Sequence, residues 1–137
     1  MNAVLPNFGD RIAAALYSDV MNVACELRDL LRVEHSFRGM QSDDCLSYVR
    51  ATGSMTSQVI GLVCWACAYR ALHNNELDLT PFLSLSEELR QATPHEAGVA
   101  SPDDFFCLQG LPSLQARVNV LCQRIDRLQE LERTTED

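Results

Sequence analysis

The chain has no lysine: all 11 of its basic residues are arginine. That removes Schiff-base chemistry, pyridoxal phosphate anchoring and the phosphate-loop lysine together. Positive charge is also scarce, because 19 acids outnumber the arginines and leave a net charge of −8. Nucleic acid and anionic membrane surfaces both require a basic footprint, so neither is an expected partner. Glycine and proline are few, 6 and 5 respectively, which disfavours a turn-rich β-sandwich. The longest apolar run, Val59–Tyr69, is broken by Gly61 and closed by Arg70. It falls short of the ~20 residues that cross a bilayer, so no membrane span is expected. Met1–Asp10 lacks a charged start followed by an apolar stretch, so no signal peptide is expected either.

What remains is an ordinary globular composition, 47% hydrophobic and 22% charged over 137 residues. It fits one domain, 1–137, with a single core. Six cysteines (Cys25, Cys45, Cys64, Cys67, Cys107 and Cys122) are too sparse for a disulfide framework, and the expected setting is the cytoplasm with reduced thiols.

Apolar spacing predicts helices throughout. Phe8, Ile12, Leu16, Val20, Val23, Leu27 and Leu30/Leu31 step by three or four, with Asn7 and Asp10 placed to cap the start. A second helix is predicted from Asp43 or Asp44 to about His73–Asn74. Its first half is amphipathic through Leu46, Val49, Met55 and Val59, and its second half is apolar on every side. Such a segment must be covered on every face, by bundle neighbours or by another subunit. Thr80-Pro81 and Ser84-Leu85-Ser86-Glu87 compete as the start of a short helix ending near Gln91 or Ala92. A second short helix opens at Ser101-Pro102-Asp103-Asp104 and closes at Gly110. Pro112 starts the last helix, with Leu114, Val118, Leu121, Ile125 and Leu128 as its seam.

These elements imply an all-α fold: an antiparallel three-helix bundle (about 8–33, 43–74 and 112–133) with two short extra helices, forming a homodimer. The dimer contact is expected in the apolar half of the second helix, at Val59, Leu62, Val63, Trp65 and Tyr69. Glu87, Glu88, Asp103 and Asp104 are read as first-turn acids that form an acidic partner-binding surface for basic protein segments. Arg117 and Arg124 form a row that is either solvated or paired with acids of another chain.

No GxSxG, HExxH, GxGxxG or phosphate-loop pattern occurs, so no catalytic residue, cofactor or metal is assigned. Cys64-Trp65-Ala66-Cys67 lies inside a helical run with no preceding strand, unlike a thioredoxin-type site, and is read first as two small core residues. The alternative function is a cysteine-based redox or metal sensor using Cys64 and Cys67, with Cys107 or Cys122. A zinc site would need two further ligands.

Met55-Thr56-Ser57-Gln58-Val59-Ile60-Gly61-Leu62-Val63-Cys64-Trp65-Ala66-Cys67-Ala68-Tyr69-Arg70-Ala71-Leu72 resembles the central helix of the regulator of CtrA degradation family of alphaproteobacteria. That family has a Thr-Thr pair, an apolar stretch with a Trp, then Arg-Ala. Leu16-Tyr17, Met21 and Glu26 in the first helix are similar to it too. So are Leu111-Pro112, Arg117-Val118 and Arg124-Ile125-Asp126-Arg127-Leu128 near the end. The chain departs from the pattern at Ser57, Gln58 and Gly61. The resemblance implies an all-helical homodimer without enzymatic activity. It would be an adaptor that helps deliver cell-cycle regulators to the ClpXP protease, with protease components and their substrates as protein partners.

Overall fold

The computed structural model describes residues 8–32, 42–92 and 111–136. They form four helices: α1 (Phe8–Arg32), α2 (Ser42–His73), α3 (Leu79–Ala92) and α4 (Leu111–Glu136). No strand occurs among the described residues. The short helix expected over 101–110 lies outside them, together with Asp103, Asp104 and Cys107.

Cross-helix pairs fix the directions. Asp19 meets Arg124 and Glu26 meets Arg117, so α1 and α4 run antiparallel. Asp10, near the start of α1, approaches His73 at the end of α2, so this pair is antiparallel as well. Gln58 bonds Gln115, and Tyr69 bonds Glu132, so α2 and α4 run parallel. Trp65 touches both Phe82 and Ser86, whereas Tyr69 meets Phe82, which sets α3 against α2. The helices therefore alternate up, down, up and down.

This corrects the expected three-helix count, because α3 is a fourth member of the bundle. Its inward stripe is Phe82, Ser86 and Arg90, all buried at i, i+4 and i+8. Two of those three are polar, so apolar periodicity gave no sign of it. The Ser84 capping box is not its start. Asp78 stands immediately before Leu79 as the N-cap, and its carbonyl accepts the Phe82 N–H at 3.0 Å. Pro81 falls in the first turn, where its missing N–H costs nothing.

The turn before α3 is a Schellman motif. Glu76 N–H bonds the Ala71 carbonyl at 2.9 Å, and Asn75 N–H bonds that of Leu72 at 3.2 Å. Asn75 takes the left-handed conformation this requires, φ 61°, which asparagine tolerates better than most side chains.

Most of the seams expected for α1 and α4 is buried, with Leu31 of the α1 seam left exposed. Leu16, Val20, Val23 and Leu27 face Leu114, Val118, Leu121 and Ile125 around the α2 residues Met55, Val59, Leu62, Trp65 and Tyr69. Trp65 stacks on Tyr69 with ring centroids 4.9 Å apart and meets Phe82 edge-on at 5.6 Å. The buried indole N–H of Trp65 donates to Ser86 Oγ at 2.6 Å, which gives the ring's polar edge its partner.

Candidate functional site

Helix α2 packs against the three other described helices, and among the described residues nothing covers its remaining side. The reason is periodic. The core takes Ala51, Met55, Val59, Leu62, Ala66 and Tyr69 at steps of three and four, so positions half a turn away point outward. Leu46, Val49 and Ile60 lie there at 59%, 58% and 58% exposure, with Gly53, Ser57, Cys64 and Cys67 on the same side. A side chain added at Gly53 would meet open space.

This arrangement revises three expectations. Leu46 and Val49, read as the inner face of α2, are outside. Cys64 and Cys67, read as small core residues, are both exposed. Of the residues expected at a dimer contact, Val59, Leu62, Trp65 and Tyr69 are taken up by the chain's own core, and Val63 packs half-buried against it. The described α2 residues that stay exposed lie on the opposite side.

A polar cluster closes one end of the bundle. Tyr69 donates its hydroxyl to Glu132 Oε1 at 3.4 Å. His73 Nε2 lies 3.4 Å from the same oxygen without forming a hydrogen bond, and His73 Nδ1 is 4.0 Å from Asp10. The Tyr69 and His73 rings meet edge-on at 4.6 Å. Burial holds the Tyr69 hydroxyl well above its ordinary pKa, and the charge of Glu132 and its hydrogen bond add to the rise. Tyr69 is thus a neutral donor, tying α2 to the end of α4.

A second polar group sits where α3 meets α4. The buried Arg90 guanidinium donates to Asp126 Oδ1 through Nε at 2.9 Å and through one terminal nitrogen at 2.6 Å. Burial pushes the thiol of neighbouring Cys122 up, and Arg90 opposes the rise with its charge and a hydrogen bond. Cys122 therefore holds its proton more firmly than a free cysteine does. Neither Ser86 nor Arg90 was singled out by sequence reasoning. A spacing of four from Phe82 was the available signal.

The acids proposed for partner binding divide. Glu87 and Glu88 are exposed but lie in the middle of α3 rather than its first turn, so they are not dipole-capping charges. Arg117 and Arg124 do not await another chain: they pair with Glu26 and Asp19 of α1. Between these two ion pairs runs an open groove of about 350 Å³, floored by Val23, Ala116, Val120 and Leu121. Among the described residues, no three His, Cys, Asp or Glu side chains gather as a metal-holding group. No described helix is long and apolar enough to cross a membrane.

No family model, curated protein or solved structure matches the chain.

Proposed function

We propose that the protein is a non-catalytic protein-interaction module that self-associates and docks protein partners. The resemblance of α2 to the regulator of CtrA degradation family supports an adaptor role in regulated proteolysis and the cell cycle, in the cytoplasm. The observation that carries the interaction reading is the outward face of α2. A folded chain with a complete aromatic and aliphatic core still exposes Leu46, Val49 and Ile60 on one side of its central helix. Leu46 and Val49 are one turn apart and Ile60 lies about three turns on along the same side, a row that a partner helix would cover. The exposed acids Glu87 and Glu88 on α3 supply a separate, charged surface suited to basic partner segments.

Two experiments test this. The solution mass of the metal-free protein at about 100 µM should exceed that of a monomer. Affinity capture from the native host should recover protease components specifically. A monomer that captures no protein specifically contradicts the reading. The second reading, a thiol-based sensor, draws on the exposure of both Cys64 and Cys67, and thiol titration with metal analysis tests it.

A further inference from the structure

Cys64 and Cys67 are exposed one turn apart on the outward face of α2, so their side chains are close neighbours. Each single chain offers half of a tetrahedral thiolate site and no third ligand, since no metal-holding group of three forms among the described residues. The rest of the same face carries exposed Leu46, Val49 and Ile60 with Arg50, Gly53 and Ser57 between them, and nothing among the described residues covers it. We propose that a second copy of this chain supplies both: two α2 helices pair in parallel and in register, and Cys64 and Cys67 of each chain bind one Zn²⁺ between them. The inference rests on the self-association reading above and gives it a ligand.

Residue spacing and ligand count point to this occupant. In-register pairing about a two-fold axis sets Leu46, Arg50, Gly53, Ser57, Ile60, Cys64 and Cys67 opposite their own copies, with Val49 flanking the seam. The positions 46, 53, 60 and 67, and likewise 50, 57 and 64, recur every seven residues, the spacing of a two-helix seam, in which a single charged position such as Arg50 costs stability. Residues three apart have Cβ atoms about 5–6 Å from each other. Rotamers that turn the two sulfurs inward close this to the ~3.8 Å that Zn–S bonds of about 2.3 Å require at a tetrahedral ion.

The seam from 46 to 71 is roughly 39 Å long, and at a helix width of about 11 Å it covers roughly 900 Å² over both chains. A stable interface needs about 1,200 Å² or more, so the apolar seam alone gives a weak dimer and the metal bonds supply the difference. Binding replaces four S–H bonds with four Zn–S bonds and releases four protons per ion, with no electron transfer. The site keeps a charge of −2; Arg70, one turn beyond Cys67, is turned toward α1, with its guanidinium over the Tyr17 ring 4.8 Å from the centroid. Zinc is favoured because two soft thiolates from each chain complete its preferred four-sulfur shell.

The test is titration of the reduced, metal-free full-length protein with Co²⁺ and Zn²⁺, followed by absorbance and by sedimentation. The expected result is one ion per two chains, with thiolate-to-cobalt charge transfer and the intense visible bands of a tetrahedral four-sulfur site. Dimer dissociation should fall at least about tenfold in its constant when the ion is present. Cys64→Ser and Cys67→Ser, both at exposed positions, should keep the helical circular dichroism and lose the bands and the tightening. A metal-free dimer that takes up no ion overturns the zinc site and leaves self-association standing. One ion per chain on a monomer overturns the bridge, as does binding that survives in both serine variants. A chain that neither binds metal nor dimerises overturns both readings.

Discussion

Removing one hydroxyl should destabilise the whole bundle. In Ser86→Ala the buried Trp65 indole loses the acceptor that now sits 2.6 Å from Nε1, and Ser86 has no exposed surface through which water replaces it. A buried donor left unsatisfied costs about 1–3 kcal/mol, and deleting one oxygen adds only a small cavity. A loss of about 2 kcal/mol should lower Tm by about 8 °C, taking about 4 °C per kcal/mol for a chain of this size. Thermal unfolding followed by circular dichroism measures it. The chain has one tryptophan, so fluorescence reports the same site directly, and its emission maximum should move. A double-mutant cycle separates the bond from general packing. In a Trp65→Phe background, Ser86→Ala should cost at least about 1 kcal/mol less than in the wild type. Equal cost in both backgrounds, or a wild-type penalty below about 0.5 kcal/mol, refutes the reasoning.

Tyr69 is neutral when folded and its pKa is raised, so the folded state holds that proton more tightly than the unfolded one. Its contribution is fully present below the unfolded tyrosine range, about 10, and is lost as pH rises further. Urea midpoints should therefore fall above about pH 10, and Tyr69→Phe should flatten that fall. Asp126→Ala leaves the buried Arg90 cation short of its main acceptor and should cost about 1–2 kcal/mol by urea denaturation. Arg90→Met, of similar length and without the charge, should cost less than Asp126→Ala. Glu87→Gln with Glu88→Gln should leave Tm unchanged but weaken capture of basic partner segments, and the remaining capture should depend less on salt.

The long helices were legible because their inner faces are aliphatic at helical spacing: Leu16, Val20, Val23 and Leu27 in α1, and Leu114, Val118, Leu121 and Ile125 in α4, are buried as their spacing implies. Helix α3 was legible as a segment but not as a bundle member. Ser86 and Arg90 bury themselves through single partners, Trp65 and Asp126, that no local pattern announces. Helix α2 concealed its orientation for the opposite reason. From Val59 to Tyr69 nearly every residue is apolar, so composition does not tell which side faces inward. Packing chose the side that carries Trp65 and Tyr69, because only there do large rings find Phe82 and one another. The smaller Ile60, Cys64 and Cys67 were left outside. The polar cluster at the bundle end joins Asp10, His73 and Glu132 from three helices, a meeting that only the tertiary arrangement creates.

The central claim is that the outward face of α2 makes the protein an interaction module, and sedimentation of Ile60→Glu beside the wild type tests it most directly. Ile60 is exposed, so the charge should alter folding stability by less than about 0.5 kcal/mol. In chelator, from about 1 to about 100 µM, the wild type should pass from monomer toward dimer while the variant stays monomeric. A wild type that is monomeric throughout, or a variant that dimerises equally well, would contradict the account.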